Sequence, residues 1–214
     1  MNQNTVFEKI ADDFNVTFDA AQLTKDWPIM SAEKYMIITD PTGKPHWQRI
    51  GSILFGRNFP KAYPVEANAI LDELKRIQSE LRKKPPSDSP LLSQFLNHTL
   101  QLHRVNITKI ESGVGENIHF DKSRATVVNM GVINSATCIT HAWTMDGPLV
   151  PGGLINERSI KYTYQHKDRE VYLLNTGAPH SVDSLVTAED QLDRYVLGYL
   201  LTDRDPTDLP RKTK

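Results

Sequence analysis

The pattern of this 214-residue chain changes near residue 101, and this change constrains the fold most. Beyond it, short runs rich in Val, Ile, Thr and Tyr alternate with Gly, Asn, Pro and Asp, which favour turns. We predict strands over residues 101–112, 124–133, 136–144, 158–165, 169–175, 179–185 and 193–202. Seven or eight short antiparallel strands after a helical layer predict a mainly β protein with a double-stranded β-helix, the jelly-roll barrel also found in cupins.

The helical signals lie in the first hundred residues. Pro64, a residue type favoured in a first helical turn, begins a segment whose apolar residues recur at a period close to 3.6. These apolar residues are Ala67, Ile70, Leu71, Leu74, Ile77 and Leu81. Basic residues at 82–84 and the prolines that follow end this helix, and a second short helix is predicted over 89–98. We therefore expect residues 1–100 to form a helical and irregular support for the barrel.

The composition predicts one soluble domain over residues 1–203 and a polar, proline-broken tail over 204–214. The formal net charge of −1 gives no overall attraction for nucleic acid or an anionic membrane. The single cysteine, Cys138, fits a reducing compartment, since it has no intrachain partner. No apolar run approaches the roughly 18–20 residues of a membrane span, and the amino terminus does not resemble a secretory signal. A cytoplasmic location is expected.

Two imidazoles and one carboxylate form a candidate metal site in the strand-rich region. His119 and Asp121 are two positions apart, and side chains at i and i+2 of an extended segment point to the same side. His180 follows the turn sequence Thr-Gly-Ala-Pro and begins another predicted strand. An isolated His-x-Asp pair is a weak signal, because surface residues often match it. With His180, however, it matches the 2-His-1-carboxylate set that binds Fe(II) and leaves open coordination positions.

Arg194 begins the last predicted strand, where alternation places it on one face with Val196, Gly198 and Leu200. The opposite face is large and apolar, suited to packing against the long helix, and consists of Tyr195, Leu197, Tyr199 and Leu201. A buried guanidinium needs an anion and binds carboxylates through two parallel hydrogen bonds. A dicarboxylate that extends from the iron would supply that anion. The alternatives are a structural ion pair with an Asp or Glu, or an exposed arginine.

The segment His119-Phe120-Asp121, the His180 segment and Arg194 together resemble the Fe(II)/2-oxoglutarate-dependent oxygenase superfamily, with prolyl-hydroxylase-like and aspartyl-hydroxylase-like members most similar. The resemblance covers about residues 101–203. It implies that His119, Asp121 and His180 bind iron and that Arg194 binds the distal carboxylate of 2-oxoglutarate. It also implies a hydroxylase that consumes O2 and releases succinate and CO2, acting on an amino-acid side chain in a peptide or protein or on a small amino-acid-like substrate.

One position departs from this pattern. Many members have a serine two residues after the arginine, whereas this chain has Val196. Another hydroxyl or amide must then assist Arg194, and the candidates are Asn129, Thr126 and Tyr162. Asp121 argues against the variant of the aspartyl-hydroxylase-like members that lacks the carboxylate ligand.

The other histidines are weaker candidates for metal ligands. His141 shares a face with Ile139 and Trp143, so we predict a core or substrate-pocket residue, because three protein ligands already supply the metal. The four histidines predicted to lie in loops or on the surface are His46, His98, His103 and His166. Cys138 is predicted to be a small core residue. The Gly- and Pro-rich segment 145–153 is predicted to be a mobile connection over the mouth of the site.

The sequence leaves two other functions open. A cupin-like metal enzyme that does not use 2-oxoglutarate would need the metal ligands but not Arg194. A non-catalytic jelly-roll binding module would need neither, and its His119, Asp121 and His180 need not approach one ion, whose bonds are roughly 2 Å long. No pattern indicates the identity of the substrate or the oligomeric state.

Overall fold

A computed structural model describes residues 5–17, 32–39, 45–53, 63–101, 105–121, 126–144, 155 and 157–201. The helices within these ranges are α1 (Pro64–Arg82) and α2 (Pro90–Asn97). The strands of the first half are β1 (Phe7–Ala11), β2 (Ala32–Thr39) and β3 (Pro45–Ile53). Those of the second half are β4 (Val105–Ile110), β5 (Glu116–His119), β6 (Thr126–Ile133), β7 (Cys138–Trp143), β8 (Lys161–Tyr164), β9 (Val171–Asn175), β10 (His180–Ser184) and β11 (Arg194–Leu201).

Both predicted helices are present, and the signals that predicted them act as expected. Each has a proline in its first turn, and the Ser89 hydroxyl accepts the Leu92 N–H (3.2 Å) at the start of α2. Gln78 of α1 donates from Nε2 to the carbonyl of Phe95 (2.7 Å) and to that of His98 (3.0 Å). These bonds fix the carbonyl end of α2 against the side of α1.

The strands form two antiparallel sheets. The larger sheet has the order β1-β9-β6-β11-β4, and the smaller has the order β5-β10-β7-β8. From β4 to β7, successive strands alternate between the two sheets, and β9, β10 and β11 alternate again. This arrangement is a double-stranded β-helix, which confirms the predicted fold class. The hairpin of β2 and β3 forms a separate two-stranded sheet.

Apolar residues cover both faces of the larger sheet. On its outer face, Tyr195, Leu197, Tyr199 and Leu201 of β11 belong to one buried cluster with the apolar stripe of α1, as the alternation predicted. Between the sheets, a second cluster contains Val6, Phe7, Ala142, Tyr172, Leu174 and Ala178. The face of β11 that carries Arg194 is therefore directed into the barrel.

The first half of the chain differs from the expectation of helical and irregular structure, because it also contains three strands. β1 pairs with β9 at the edge of the larger sheet, and a register shift between Lys9 and Ala11 interrupts its alternation. A five-residue strand with a bulge has little period-2 pattern, so the sequence did not indicate it. The segment 145–153 and the tail 204–214 lie outside the described residues. None of the described helices is long and apolar enough to cross a membrane.

Candidate metal centre

The three predicted metal ligands lie together at one end of the barrel. His119 ends β5, His180 begins the adjacent strand β10, and the two are cross-strand neighbours. Their ring centroids are 4.3 Å apart. The ligand atoms of His119, Asp121 and His180 all lie within 4.8 Å of one another. Ligands on one face of an octahedron are about 3 Å apart when the metal–ligand bonds are roughly 2 Å long, so the side chains would move closer together to hold one ion.

Backbone carbonyls fix the orientation of both imidazoles. His119 Nδ1 lies 2.7 Å from the Asn117 carbonyl oxygen, and His180 Nδ1 lies 2.9 Å from that of Ala178. A carbonyl oxygen only accepts, so each Nδ1 carries the proton and each Nε2 keeps a free lone pair. Hydrogen bonds of this kind orient histidine ligands in metalloproteins.

Burial keeps His180 neutral. Its side chain is 5% exposed, and burial lowers its pKa to about 4, with a further contribution from His119; Asp121 opposes the shift. At neutral pH the imidazole is therefore uncharged, so its Nε2 can bind a metal ion without first losing a proton.

The chain around Asp121 is fixed by the turn that connects β9 to β10. The Asp121 N–H donates to the Thr176 carbonyl (2.7 Å). In the same turn, Asn175 Oδ1 accepts the Gly177 N–H (3.1 Å), and Asn175 Nδ2 donates to the Thr5 carbonyl (3.2 Å). The turn that precedes His180 thus also positions the carboxylate ligand, which explains how residues far apart in sequence reach one point.

Arg194 is 2% exposed and lies on the interior face at the start of β11. Its Nη2 donates to Nε2 of His166 (2.5 Å). Within the ranges that the structure describes, the guanidinium contacts no carboxylate, and its Nε–H has no hydrogen-bond partner. The arrangement differs from a structural Arg–Asp or Arg–Glu pair and leaves the positive charge uncompensated by these residues.

His166 lies in the loop after β8, as one of its two predicted positions has it, but it is fully buried and not on the surface. It stacks parallel to Tyr164 (centroids 5.7 Å apart) and lies 4.6 Å from the ring of Tyr172. Burial and the nearby Arg194 lower its pKa to about 3. Alternation gave a usable signal, because Tyr162 and Tyr164 occupy the interior face of β8 and His166 continues their spacing.

The three candidates for a second cosubstrate-binding residue have different environments. Thr126 Oγ1 donates to Gln94 Oε1 of α2 (2.5 Å), so this hydroxyl lies outside the barrel. Asn129 lies on the interior face, 3.5 Å from where a Cβ on Gly198 would be. Tyr162 also faces the interior. Its ring is edge-on to that of Phe7, and the two ring centroids are 6.3 Å apart.

Four buried polar atoms lack a hydrogen-bond partner in the described part of the chain: Arg194 Nε, His166 Nδ1, Thr140 Oγ1 and Ser135 Oγ. Buried polar groups are normally paired. Thr140 and Arg194 lie on strands that enclose the interior, and Ser135 and His166 each follow such a strand by two residues; the two nitrogens are donors. A carboxylate would satisfy such a set, so the residues present fit a dicarboxylate cosubstrate. Thr140 was not among the sequence candidates.

The remaining histidines and Cys138 do not reach the metal ligands, as far as the described residues show. His141 lies on the outer face of the smaller sheet, with Nε2 2.9 Å from Asp183 Oδ2 and Nδ1 3.0 Å from Thr163 Oγ1. It is a buried residue but does not line the interior. Cys138 is buried, as predicted, and His98 is half-buried beside Tyr199. The His46 side chain and His103 are outside the description.

No protein-family profile and no curated protein matches the sequence. Among solved structures, AviO1 from Streptomyces viridochromogenes is similar, with 9% identity, a TM-score of 0.52, and 94% of this chain and 92% of that chain covered. SnoN, a non-heme alpha-ketoglutarate-dependent epimerase from nogalamycin biosynthesis, has 13% identity, a TM-score of 0.50, and coverages of 97% and 83%. An oxidoreductase of the 2OG-Fe(II) oxygenase family from Burkholderia pseudomallei has 13% identity, a TM-score of 0.49, and coverages of 88% and 82%.

Other matches are partial. This chain spans 52% of the cysteine peptidase Peruvianin-I from Thevetia peruviana and 23% of hazelnut vicilin, at TM-scores of 0.33 and 0.32. The alternation of strands between two sheets agrees with the matches that span nearly the whole chain. The chain therefore has a double-stranded β-helix fold similar to the structures of AviO1 and SnoN.

Proposed function

We propose that this chain is an Fe(II)- and 2-oxoglutarate-dependent dioxygenase that hydroxylates a C–H bond of an amino-acid side chain in a peptide or protein. The observation that carries the proposal is the approach of His119, Asp121 and His180 to within 4.8 Å in a barrel that also buries Arg194. The fold supports it, because SnoN combines this fold with a dependence on alpha-ketoglutarate. The choice of substrate class rests on the sequence resemblance alone.

In this proposal, Nε2 of His119, Nε2 of His180 and the Asp121 carboxylate hold Fe(II), and Arg194 holds the distal carboxylate of 2-oxoglutarate. When bound, iron, 2-oxoglutarate and O2 supply the oxidation: one oxygen atom enters the substrate C–H bond, the other enters succinate, and CO2 is released. The protein contributes coordination, orientation and exclusion of water.

Charge compensation favours a dianionic cosubstrate at this site. Two neutral imidazoles and one carboxylate reduce the charge of Fe(II) by one unit and leave a net positive centre. Arg194 adds a second positive charge within the same interior. A dicarboxylate with one end at the metal and the other at Arg194 compensates both, and their burial strengthens the attraction.

Metal binding is tested by titration of the protein with Mn(II), a non-reactive substitute for Fe(II), in a calorimeter. We expect one site per chain, lost or strongly weakened in His119→Ala, Asp121→Ala and His180→Ala. His141→Ala is the matched control, because this histidine is buried on the opposite face of the same sheet. Unchanged Mn(II) binding in all three ligand variants would contradict the assignment.

Turnover is tested with Fe(II), O2 and labelled 2-oxoglutarate, with and without a peptide library. We expect succinate and CO2 in all active reactions and a mass gain of one oxygen atom in peptides that serve as substrates. Products of unchanged mass are checked for altered stereochemistry. Metal-dependent activity without 2-oxoglutarate, retained in Arg194→Ala, would favour a cupin-like enzyme. Absence of both metal binding and turnover would favour a binding module.

A further inference from the structure

We propose that Thr140 is the second residue that binds the distal carboxylate of the cosubstrate, and that His166 is the positioning residue that holds Arg194 for the same carboxylate. The inference rests on the proposed function. It names the residues that would assist Arg194 in place of the serine that many members of the family have where this chain has Val196. It starts from two of the unpaired buried atoms described above, Thr140 Oγ1 and Arg194 Nε, and from the hydrogen bond between Arg194 and His166.

Thr140 lies at the depth that a five-carbon dicarboxylate would reach. Strands β10 and β7 are antiparallel, and His180 of β10 pairs with Ala142 of β7. Thr140 lies two residues before Ala142 and pairs with Val182 of β10. Thr140 shares the interior face with Ala142 and lies about 7 Å further along the strands. An extended chain of four C–C bonds of about 1.5 Å, joined to a metal by a bond of roughly 2 Å, spans a similar length.

The hydroxyl of Thr140 is available to a ligand. The residue is 2% exposed, and its Oγ1 has no partner in the ranges described. Ser135 also has an unpaired hydroxyl, but it precedes β7, further from the metal ligands, and its Oγ is 2.5 Å from where a Cβ on Gly131 would be. The position along the barrel therefore favours Thr140 over Ser135.

His166 holds the guanidinium without neutralising it. Its Nε2 accepts from Arg194 Nη2, so Nε2 is unprotonated and the imidazole is the neutral tautomer with its proton on Nδ1. The flanking rings of Tyr164 and Tyr172 fix the imidazole plane. A carboxylate in this place would compensate the charge of Arg194, whereas a neutral acceptor leaves the whole charge and the Nε–H for a ligand.

The register of β7 and β8 brings the two proposed residues near each other. Thr140 pairs with Tyr164, and His166 lies two residues beyond Tyr164 on the same face. Diagonal neighbours of this kind are about 7–8 Å apart. One carboxylate between them can accept from Thr140 Oγ1 and from the guanidinium that His166 holds.

The test for Thr140 compares two 2-oxo acids binding to the Mn(II)-loaded protein by calorimetry: 2-oxoglutarate and 2-oxopentanoate, which has a methyl group in place of the distal carboxylate. Thr140→Val removes the hydroxyl with little change of shape. It should weaken the binding of 2-oxoglutarate by roughly 10- to 100-fold, which is the effect of one hydrogen bond to a charged group. Thr140→Ser should bind nearly as the unmodified protein does. Binding of 2-oxopentanoate should be unchanged in both.

Thr163→Val is the matched control, because Thr163 lies on the outer face of the same sheet, at the next strand. It should leave both affinities unchanged. The assignment of Thr140 is overturned if Thr140→Val still binds Mn(II) and weakens the binding of both acids equally. It is also overturned if the binding of neither acid changes.

The test for His166 uses two variants. His166→Leu removes the acceptor and should reduce 2-oxoglutarate affinity at least tenfold but leave 2-oxopentanoate unaffected. His166→Gln supplies a neutral amide acceptor and should restore most of the affinity. A purely packing role would not distinguish the two acids, so equal losses for both would overturn the positioning role, as would no loss in His166→Leu.

The outcomes separate this inference from the proposed function. If the unmodified Mn(II)-loaded protein binds 2-oxoglutarate and Thr140→Val and His166→Leu bind it equally well, only the inference fails. If the unmodified protein binds Mn(II) but no 2-oxoglutarate, the proposed function fails and the inference fails with it.

Discussion

At the scale of single residues, burial and hydrogen bonding decide what each histidine can do. His119 and His180 each donate from Nδ1 to a carbonyl and keep Nε2 free, so both are suited to bind a metal ion. His166 uses Nε2 to accept from Arg194, and His141 uses both nitrogens on the outer face of the sheet. Four residues of one type thus have three different roles, which only their neighbours define.

Burial of neutral His166 makes the free energy of unfolding depend on pH. The pKa of His166 is about 3 in the folded state, against 6.5 for an exposed histidine. Between these values the unfolded chain binds a proton that the folded chain does not, so stability falls as pH decreases from about 6.5. As the pH falls from 6.5 to 4.5, the free energy of unfolding should decrease less in His166→Gln than in the unmodified protein. The two slopes should differ by up to about 1.4 kcal/mol per pH unit.

Urea unfolding at several pH values measures this difference. Gln165→Ala, at the exposed neighbouring position, is the control and should retain the slope of the unmodified protein. Parallel stability profiles for His166→Gln and the unmodified protein would contradict the prediction.

At the scale of elements, close contacts hold strand β6 against two connecting segments. Gly131 of β6 lies against the β6–β7 connection and the segment after β8. A Cβ placed there would be 2.5 Å from Ser135 Oγ and 2.6 Å from the Lys167 carbonyl oxygen. At Gly198 of β11, the nearest atoms would be Val127 Cγ1 at 3.4 Å and Asn129 Oδ1 at 3.5 Å, which are ordinary contacts.

We therefore expect Gly131→Ala to reduce the free energy of unfolding by about 1–3 kcal/mol, because the backbone carbonyl cannot move away without disturbing the β8–β9 turn. Gly198→Ala is the matched control. It should be neutral or slightly stabilising, since alanine loses less conformational entropy than glycine in a strand. Urea unfolding of both variants is the measurement, and equal effects would show that the contacts at Gly131 do not restrict the chain.

At the scale of the whole molecule, the proposed ligands connect the two sheets. The proposed metal ligands lie on or directly after strands of the smaller sheet, whereas Arg194 belongs to the larger sheet. A cosubstrate that extends from the metal to Arg194 would join them in the folded state only. Its binding must therefore stabilise the native protein.

A thermal unfolding experiment with successive ligands tests this connection. Mn(II) at about 100 times its Kd should add about 2.7 kcal/mol of stability, and 2-oxoglutarate in similar excess a comparable second amount. For a chain of this size each step corresponds to a rise in Tm of roughly 5–10 °C. In Arg194→Met we expect the first rise to remain and the second to be lost. A second rise unchanged in Arg194→Met would show that the cosubstrate does not bind this arginine.

Local periodicity determined much of this protein from the sequence alone. Patterns within single segments predicted the apolar stripe of α1, the proline and serine at the helix starts, and the two faces of β11. Each of these patterns can be identified without knowing which strand pairs with the segment. The same holds for His119 and Asp121, whose spacing places both on one side of an extended segment. His180 and Arg194 joined this pair through the resemblance to a known family, and the roles of all four residues at the site stay predictions.

The tertiary structure decided what depends on pairing between distant segments. Whether His166 is buried depends on β8 folding over Tyr172 of β9, and whether Thr126 or Thr140 faces the interior depends on which sheet each strand joins. β1 exists as a strand because β9 presents a free edge to it. Register and burial arise from contacts across the barrel, and no spacing within one segment encodes them.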